Sequence, residues 1–211
     1  MNTHLIHLGA PSGIPDEYKV YRNNNKNEDK IIVAYVGFML PNKLSIDWIQ
    51  ECLGNTRIEF VLIGPGDKEV TQHFTNSSNV KFLGVKTGTD LYSSLSNANV
   101  CIAPYNLTKI NQGVTPNKLW LYLALGKPVV LTKLHNIASG EFEDDIIYQT
   151  EDKQDFPHLI EKAFHSDTEE LFLKRIGLAQ KNSWPRKIDQ YGVSFYNELD
   201  FPVFSRGTLI E

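Results

Sequence analysis

Residues 113–132 constrain this chain most, because they spell out a helix with its start, its stop and the strand that follows. Thr115 reads as an N-cap, and Pro116 suits the first helical position, where a missing N–H costs nothing. Gly126 falls where a chain leaving a helix takes a positive φ, and Pro128 keeps the helix from resuming. Pro128-Val129-Val130-Leu131-Thr132 is then β-branched and apolar, which predicts a strand. Residues 120–125 are apolar on every face, so this helix is expected to be buried rather than merely amphipathic.

The first turn of that helix carries Lys118, where the helix dipole disfavours a cation by about 0.3–1 kcal/mol. An anion such as a phosphate resolves the conflict, since free amides and a lysine together make an anion site. The alternative is a lysine that simply points to water.

Upstream, apolar runs alternate with helical patterns. Residues 31–36 form a continuous apolar run ending at Gly37, and residues 60–63 one ending at Gly64-Pro65-Gly66. Residues 80–83 end at Gly84, and residues 100–103 at Pro104. Helical spacing appears through Ile46, Ile49 and Leu53, and near 69–75 and 89–97. Ile146-Ile147-Tyr148 suggests a short edge strand. The C-terminal third reads as helices over 153–165, about 168–181 and about 184–198, the last capped by Ser183 with Pro185 in its first turn. Runs without polar alternation mean strands covered on both faces, so the fold class is α/β, a Rossmann-like doubly wound parallel sheet of at least five strands with a helical C-terminal segment.

Three regions are expected: a strand and linker over 1–29, a Rossmann-like domain over 30–199 and a tail over 200–211. In the first, His4-Leu5-Ile6-His7-Leu8 could be a short strand, and Asn23-Asn24-Asn25-Lys26-Asn27 reads as an exposed linker, so the compact core is expected to begin near Lys30. In the last, Phe201-Pro202-Val203-Phe204 is apolar and suits packing either on another domain or on this one. His4 and His7 fall on opposite faces of a strand, and no metal-ligand cluster is visible.

A net charge of -4 argues against non-specific nucleic-acid binding. No apolar run approaches a membrane span and no signal peptide opens the chain. Cys52 and Cys101 are too few for a disulfide framework, so a cytoplasmic location is expected.

In a sheet of this kind, ligands bind at the carboxyl ends of the strands, which here carry Gly37, Gly64, Gly66 and Gly84. No G-x-G-x-x-G, P-loop or G-x-S-x-G pattern is present, which counts against the usual dinucleotide site, a P-loop and an acyl-transfer triad.

The ordered series Val36-Gly37-Phe38, Val61-Leu62-Ile63-Gly64-Pro65, Asn79-Val80-Lys81-Phe82-Leu83-Gly84, Ala98-Asn99-Val100-Cys101-Ile102-Ala103-Pro104-Tyr105, the central helix and strand, and Asn182-Ser183-Trp184 resembles the C-terminal, donor-binding domain of GT-B glycosyltransferases. The resemblance covers about residues 30–198. It implies a nucleotide-sugar site in which Gly37 and Phe38 approach the phosphates from the first strand and Gly64 follows the second. Val85 and Lys86 cradle the base, and Thr115, Asn117 and Lys118 hold the diphosphate. The activity it implies is hexosyl transfer from a UDP-sugar or GDP-sugar to a glycan or lipid-linked acceptor in polysaccharide biosynthesis, with no cofactor or metal. The implied partner is an N-terminal acceptor domain or a separate subunit, with peripheral membrane association through that missing half; the 211-residue chain alone is expected to be inactive.

One position departs from the family pattern. An acid usually follows one turn after the lysine and takes the ribose hydroxyls, and here that position is Leu121; an earlier acid of many relatives falls on Gly113. Either another acid replaces it, with Glu141-Phe142-Glu143-Asp144-Asp145 the nearest run, or nucleotide use has changed. The alternatives to a donor-binding half are therefore a degenerate, non-catalytic scaffold that binds a partner and, on fold analogy alone, another nucleotide-binding protein such as an epimerase relative or a dehydrogenase.

Overall fold

The computed structural model describes residues 9–22, 29–138, 142 and 145–198. The apolar runs become the strands β1 (Ile31–Val36), β2 (Ile58–Ile63), β3 (Val80–Gly84), β4 (Val100–Ala103), β5 (Val129–Thr132) and β6 (Ile147–Thr150). Between and after them lie the helices α1 (Ile46–Cys52), α2 (Lys68–Thr71), α3 (Gly88–Ser96), α4 (Lys109–Gln112), α5 (Asn117–Ala124), α6 (His135–Ala138), α7 (Phe156–His165), α8 (Glu169–Lys181) and α9 (Trp184–Glu198).

Among the described residues the strands form one six-stranded sheet in the order β3-β2-β1-β4-β5-β6, every neighbouring pair parallel. This is the doubly wound arrangement, with β6 at one edge as Ile147 and Tyr148 suggested. All four positions of β4 and of β5 are buried, which is why their sequence does not alternate.

Two cores lie on the two faces of the sheet. On one, α5 supplies Trp120, Tyr122 and Leu123 against Ala34, Ile63 and Cys101, with Leu95 of α3 and Ala179 of α8. On the other, Trp48 and Ile49 of α1 and Phe156, Ile160 and Phe164 of α7 pack on Val33, Phe60, Leu62 and Ile102. Side-chain alternation along β1 sends Ala34 to the first core and Val33 and Tyr35 to the second.

Two expectations are corrected. The helix begins at Asn117 with Pro116 as its N-cap, and Thr115 makes no capping bond. The cap therefore rests on Pro116, whose φ of -66° enters a helix readily but whose ring offers no side-chain acceptor. The core also begins earlier than Lys30: Ala10 and Ile14 are buried in it. Ala10 bonds Asn182 and Trp184 through backbone groups at 2.9 and 3.1 Å, and Ser96 Oγ donates to the Tyr18 carbonyl at 2.5 Å. The strand suggested at 4–8, the Asn-rich linker at 23–27 and the tail at 200–211 lie outside the described residues.

The helix stop is as read. Gly126 has φ +72°, and a Cβ there would lie 2.3 Å from the ring of Phe172, so both the turn and the packing of α8 require glycine.

Candidate functional site

The strand order reverses between β1 and β4, and their pairing covers only Val33↔Val100 and Ala34↔Cys101. Toward their carboxyl ends the two strands part. Tyr122 of α5 fills the fork: its hydroxyl accepts from the Val36 N–H at 2.9 Å and donates to the Ile102 carbonyl at 3.3 Å. Burial holds the phenol pKa well above its ordinary value, so it stays neutral and able to donate. The start of α5 is thereby set against the crevice where doubly wound sheets bind ligands.

Strand ends β1, β2 and β3 are laced together through glycines. The Gly37 N–H donates to the Ile63 carbonyl at 2.9 Å, and the Gly64 N–H to the Gly84 carbonyl at 2.8 Å. Gly37 and Gly64 have φ of +140° and +129°, and a Cβ on Gly64 would sit 2.2 Å from the Gly37 carbonyl oxygen. The loop after Gly37 is fastened on both sides. Met39 bonds Pro65 and Asp67 on one side, while Ser45 bonds Pro104 and Asn106 bonds Lys43 on the other.

Into this frame projects Lys118. Its Nζ lies 3.9 Å from the centroid of the Tyr35 ring and 5.1 Å from that of Tyr105. A Cβ on Gly37 would be only 2.8 Å from that Nζ, so glycine makes the room. The Tyr35 hydroxyl donates to the Phe38 carbonyl at 3.0 Å and holds the loop over the lysine. Among the described residues no carboxylate pairs with Lys118. Burial first, and the charge of Lys43 second, push its pKa down to about 7. Two cations and the first amides of a helix, with no acid to neutralise them, can hold an anion.

The site residues read from sequence fall into two groups. Gly37 lies against both Lys118 and Gly64, and the next residue, Phe38, is 65% exposed. Val85, also 65% exposed, and the half-buried Lys86 follow Gly84 at the β3 end, joined to the group through the Gly64 bond. Thr115 is half-buried and Asn117 exposed beside Lys118 in the chain. Leu121, one turn along α5, is half-buried and packs on the core. Of the acidic run, Glu141, Glu143 and Asp144 lie outside the described residues, and Asp145 pairs with Lys174 at 3.9 Å.

Tyr35, Tyr105 and Lys43 were not singled out in the sequence. Tyr35 is hidden in an apolar strand pattern, and only its place near the carboxyl end of β1 marks it. Lys127, by contrast, lies away from the site: it is buried and donates to the Ser96 and Ala98 carbonyls at 2.8 and 2.9 Å, closing the end of α3. Among the described residues no group of three or more His, Cys, Asp or Glu side chains could hold a metal, and no helix is long and apolar enough to cross a membrane.

Residues 30–166 match the family model described as glycosyl transferases group 1. Among curated proteins, the provisionally named teichuronic acid biosynthesis glycosyltransferase TuaH of Bacillus subtilis (strain 168) is 26% identical over 185 residues, which is 80% of this chain and 46% of that protein. Among solved structures, Anabaena Alr3699/HepE in complex with UDP and glucose superposes with a TM-score of 0.62 at 16% identity, over 80% of this chain and 48% of that one. Sucrose-phosphate synthase from Thermosynechococcus elongatus superposes with a TM-score of 0.63 at 18% identity, over 83% and 47%. The chain thus spans about half the length of these relatives.

Proposed function

Because this chain belongs to the group 1 glycosyl transferases, a family of GT-B fold, we propose that its cleft binds a nucleoside-diphosphate sugar and forms the donor-binding half of a sugar transferase. In this reading the donor unit is residues 30–199, with 1–29 leading to an acceptor-binding domain or subunit and 200–211 as a tail. The observation that carries the proposal is Lys118, an ammonium held between two tyrosine rings beside Gly37 with no carboxylate to pair with. The structure of HepE with UDP and glucose supports a UDP-sugar donor, and the name of TuaH, a biosynthetic glycosyltransferase, is compatible with a glycan or lipid-linked acceptor.

Transfer forms a bond from an acceptor hydroxyl oxygen to C1 of the sugar as the bond from C1 to the β-phosphate oxygen breaks. Charge then develops on the leaving diphosphate. Lys118, aided by Lys43 and the first amides of α5, stabilises that charge where it appears. No metal or cofactor enters this scheme. Lys118→Ala is expected to weaken UDP binding by about 1.5–3 kcal/mol in calorimetric titration, the range for a charge-assisted hydrogen bond. Lys127→Ala is the control, with lower stability and unchanged affinity, because Lys127 serves the end of α3. Equal binding by the parent and Lys118→Ala would refute the anion site.

Leu121 favours a second reading, a degenerate scaffold without transfer activity, since an apolar side chain cannot accept hydrogen bonds from a ribose. Failure of the parent chain to bind UDP, GDP or their sugars would support it.

A further inference from the structure

Lys118 is held by rings where a carboxylate would be the ordinary partner of a half-buried ammonium. A carboxylate would keep the lysine charged, but it would also cancel that charge and repel an incoming anion. The face of an aromatic ring is electron-rich without carrying a net charge, so it attracts the ammonium and leaves its charge available. Both ring centroids lie within the distance of about 6 Å over which that attraction acts. Tyr35 is at 3.9 Å and Tyr105 at 5.1 Å.

Both rings are fixed by their surroundings. Tyr35 is 3% exposed and belongs to β1, where it pairs with Leu62 of β2. The backbone of Tyr105 is tied on two sides: its N–H donates to Oγ1 of the fully buried Thr132 at 3.0 Å, and it bridges Leu44 of the loop after β1. Tyr35 makes a second contact, because its hydroxyl donates to the Phe38 carbonyl at 3.0 Å. A Cβ on Gly37 would lie 3.4 Å from that hydroxyl and 2.8 Å from Lys118 Nζ, so one glycine admits both groups.

We infer that Tyr35 is a positioning residue of this cleft: its ring holds the Lys118 ammonium without neutralising it, its hydroxyl holds the loop after β1 beside it, and Tyr105, anchored by Thr132, forms the second wall. That the ammonium is held for a diphosphate rests on the donor reading above, whereas the ring and hydroxyl contacts stand apart from it. Burial and the charge of Lys43 pull the lysine pKa down to about 7, and the ring faces act in the other direction. Among the described residues the other titratable groups facing it are the phenols of Tyr35, Tyr105 and, on α5 itself, Tyr122. Burial raises all three, so they stay neutral where the lysine titrates.

The test reads the ionisation of Lys118 in the 211-residue chain without any ligand, by its reactivity toward acetic anhydride as a function of pH, followed by mass spectrometry. The parent is expected to be half-reactive near pH 7. Tyr35→Leu keeps bulk and removes the ring, and should lower that half-point by about one pH unit. Tyr35→Phe keeps the ring and should leave the half-point where it is. Tyr105→Leu should lower it by less, because that ring is farther away. Tyr105 is only half-buried, so this variant keeps the test valid even if Tyr35→Leu disturbs folding. Tyr35→Phe should also speed hydrogen exchange of the amides at 37–39 and weaken UDP-glucose binding by about fivefold in calorimetry. Half-points shared by the parent and both leucine variants would overturn the role of the rings, and parent-like exchange in Tyr35→Phe would overturn that of the hydroxyl. Displaced half-points in a chain that does not bind UDP-glucose would refute the donor reading and uphold the positioning role.

Discussion

Lys118 titrates where cells live, and that gives the site a pH signature. In the free protein its pKa is lowered to about 7, so it is charged below that value and progressively neutral above it. A bound diphosphate favours the charged form and raises the pKa, so binding takes up a proton. Affinity is therefore full below pH 7 and expected to fall above it, by at most about tenfold per pH unit, until the bound-state pKa is passed. Calorimetry with UDP-glucose, whose phosphates lose no proton in that range, reads this directly; Lys118→Arg should flatten the profile. At Leu121 the expectation concerns selectivity. A site that hydrogen-bonds a hydroxyl rejects the analogue lacking it by up to about 10⁴-fold, whereas an apolar wall cannot. UDP and 2′-deoxy-UDP should accordingly bind within about tenfold, or 1.4 kcal/mol, of each other. Strong discrimination would mean that another acid serves the ribose.

At the scale of elements, α5 does two tasks with one surface. Its buried side packs Trp120, Tyr122 and Leu123 on the sheet, and its first turn delivers Lys118 to the crevice. Tyr122 connects the tasks by bridging the fork between β1 and β4. Tyr122→Phe leaves the Val36 N–H and the Ile102 carbonyl without that partner in a buried setting, and should cost about 1–3 kcal/mol of stability in urea unfolding. Donor affinity should drop as well, since the start of α5 is no longer held at the fork. The end of this helix could be read from Gly126 and Pro128 because chain-turning residues act locally. Its start was misread by one residue: Thr115 has the right chemistry for a cap, but the helix takes Pro116 as its cap instead.

At the scale of the molecule, the chain spans about half the length of its relatives, and the expectation concerns what 211 residues do on their own. The 211-residue protein is expected to bind a nucleotide sugar and to transfer nothing, because transfer needs donor and acceptor held together. Turnover of a radiolabelled UDP-sugar by the purified chain would refute this, and activity restored by an acceptor-binding domain added in trans is the positive counterpart. By itself the sequence determined the class of fold, the strands at 31–36, 60–63, 80–83, 100–103 and 128–132 to within two residues at either end, and the burial of α5, since hydrophobic periodicity and Gly/Pro punctuation act within a few residues of chain. It also pointed to Gly37, Gly64 and Lys118. Only the tertiary structure decided that Tyr35 and Tyr105 flank that lysine, that Tyr122 spans the strand fork and that Ala10 pairs beside Ser183. Those partners lie between 13 and 173 positions apart in the chain (118 − 105 and 183 − 10). Which distant groups meet is set by how the layers pack, and no local pattern of residues carries that information.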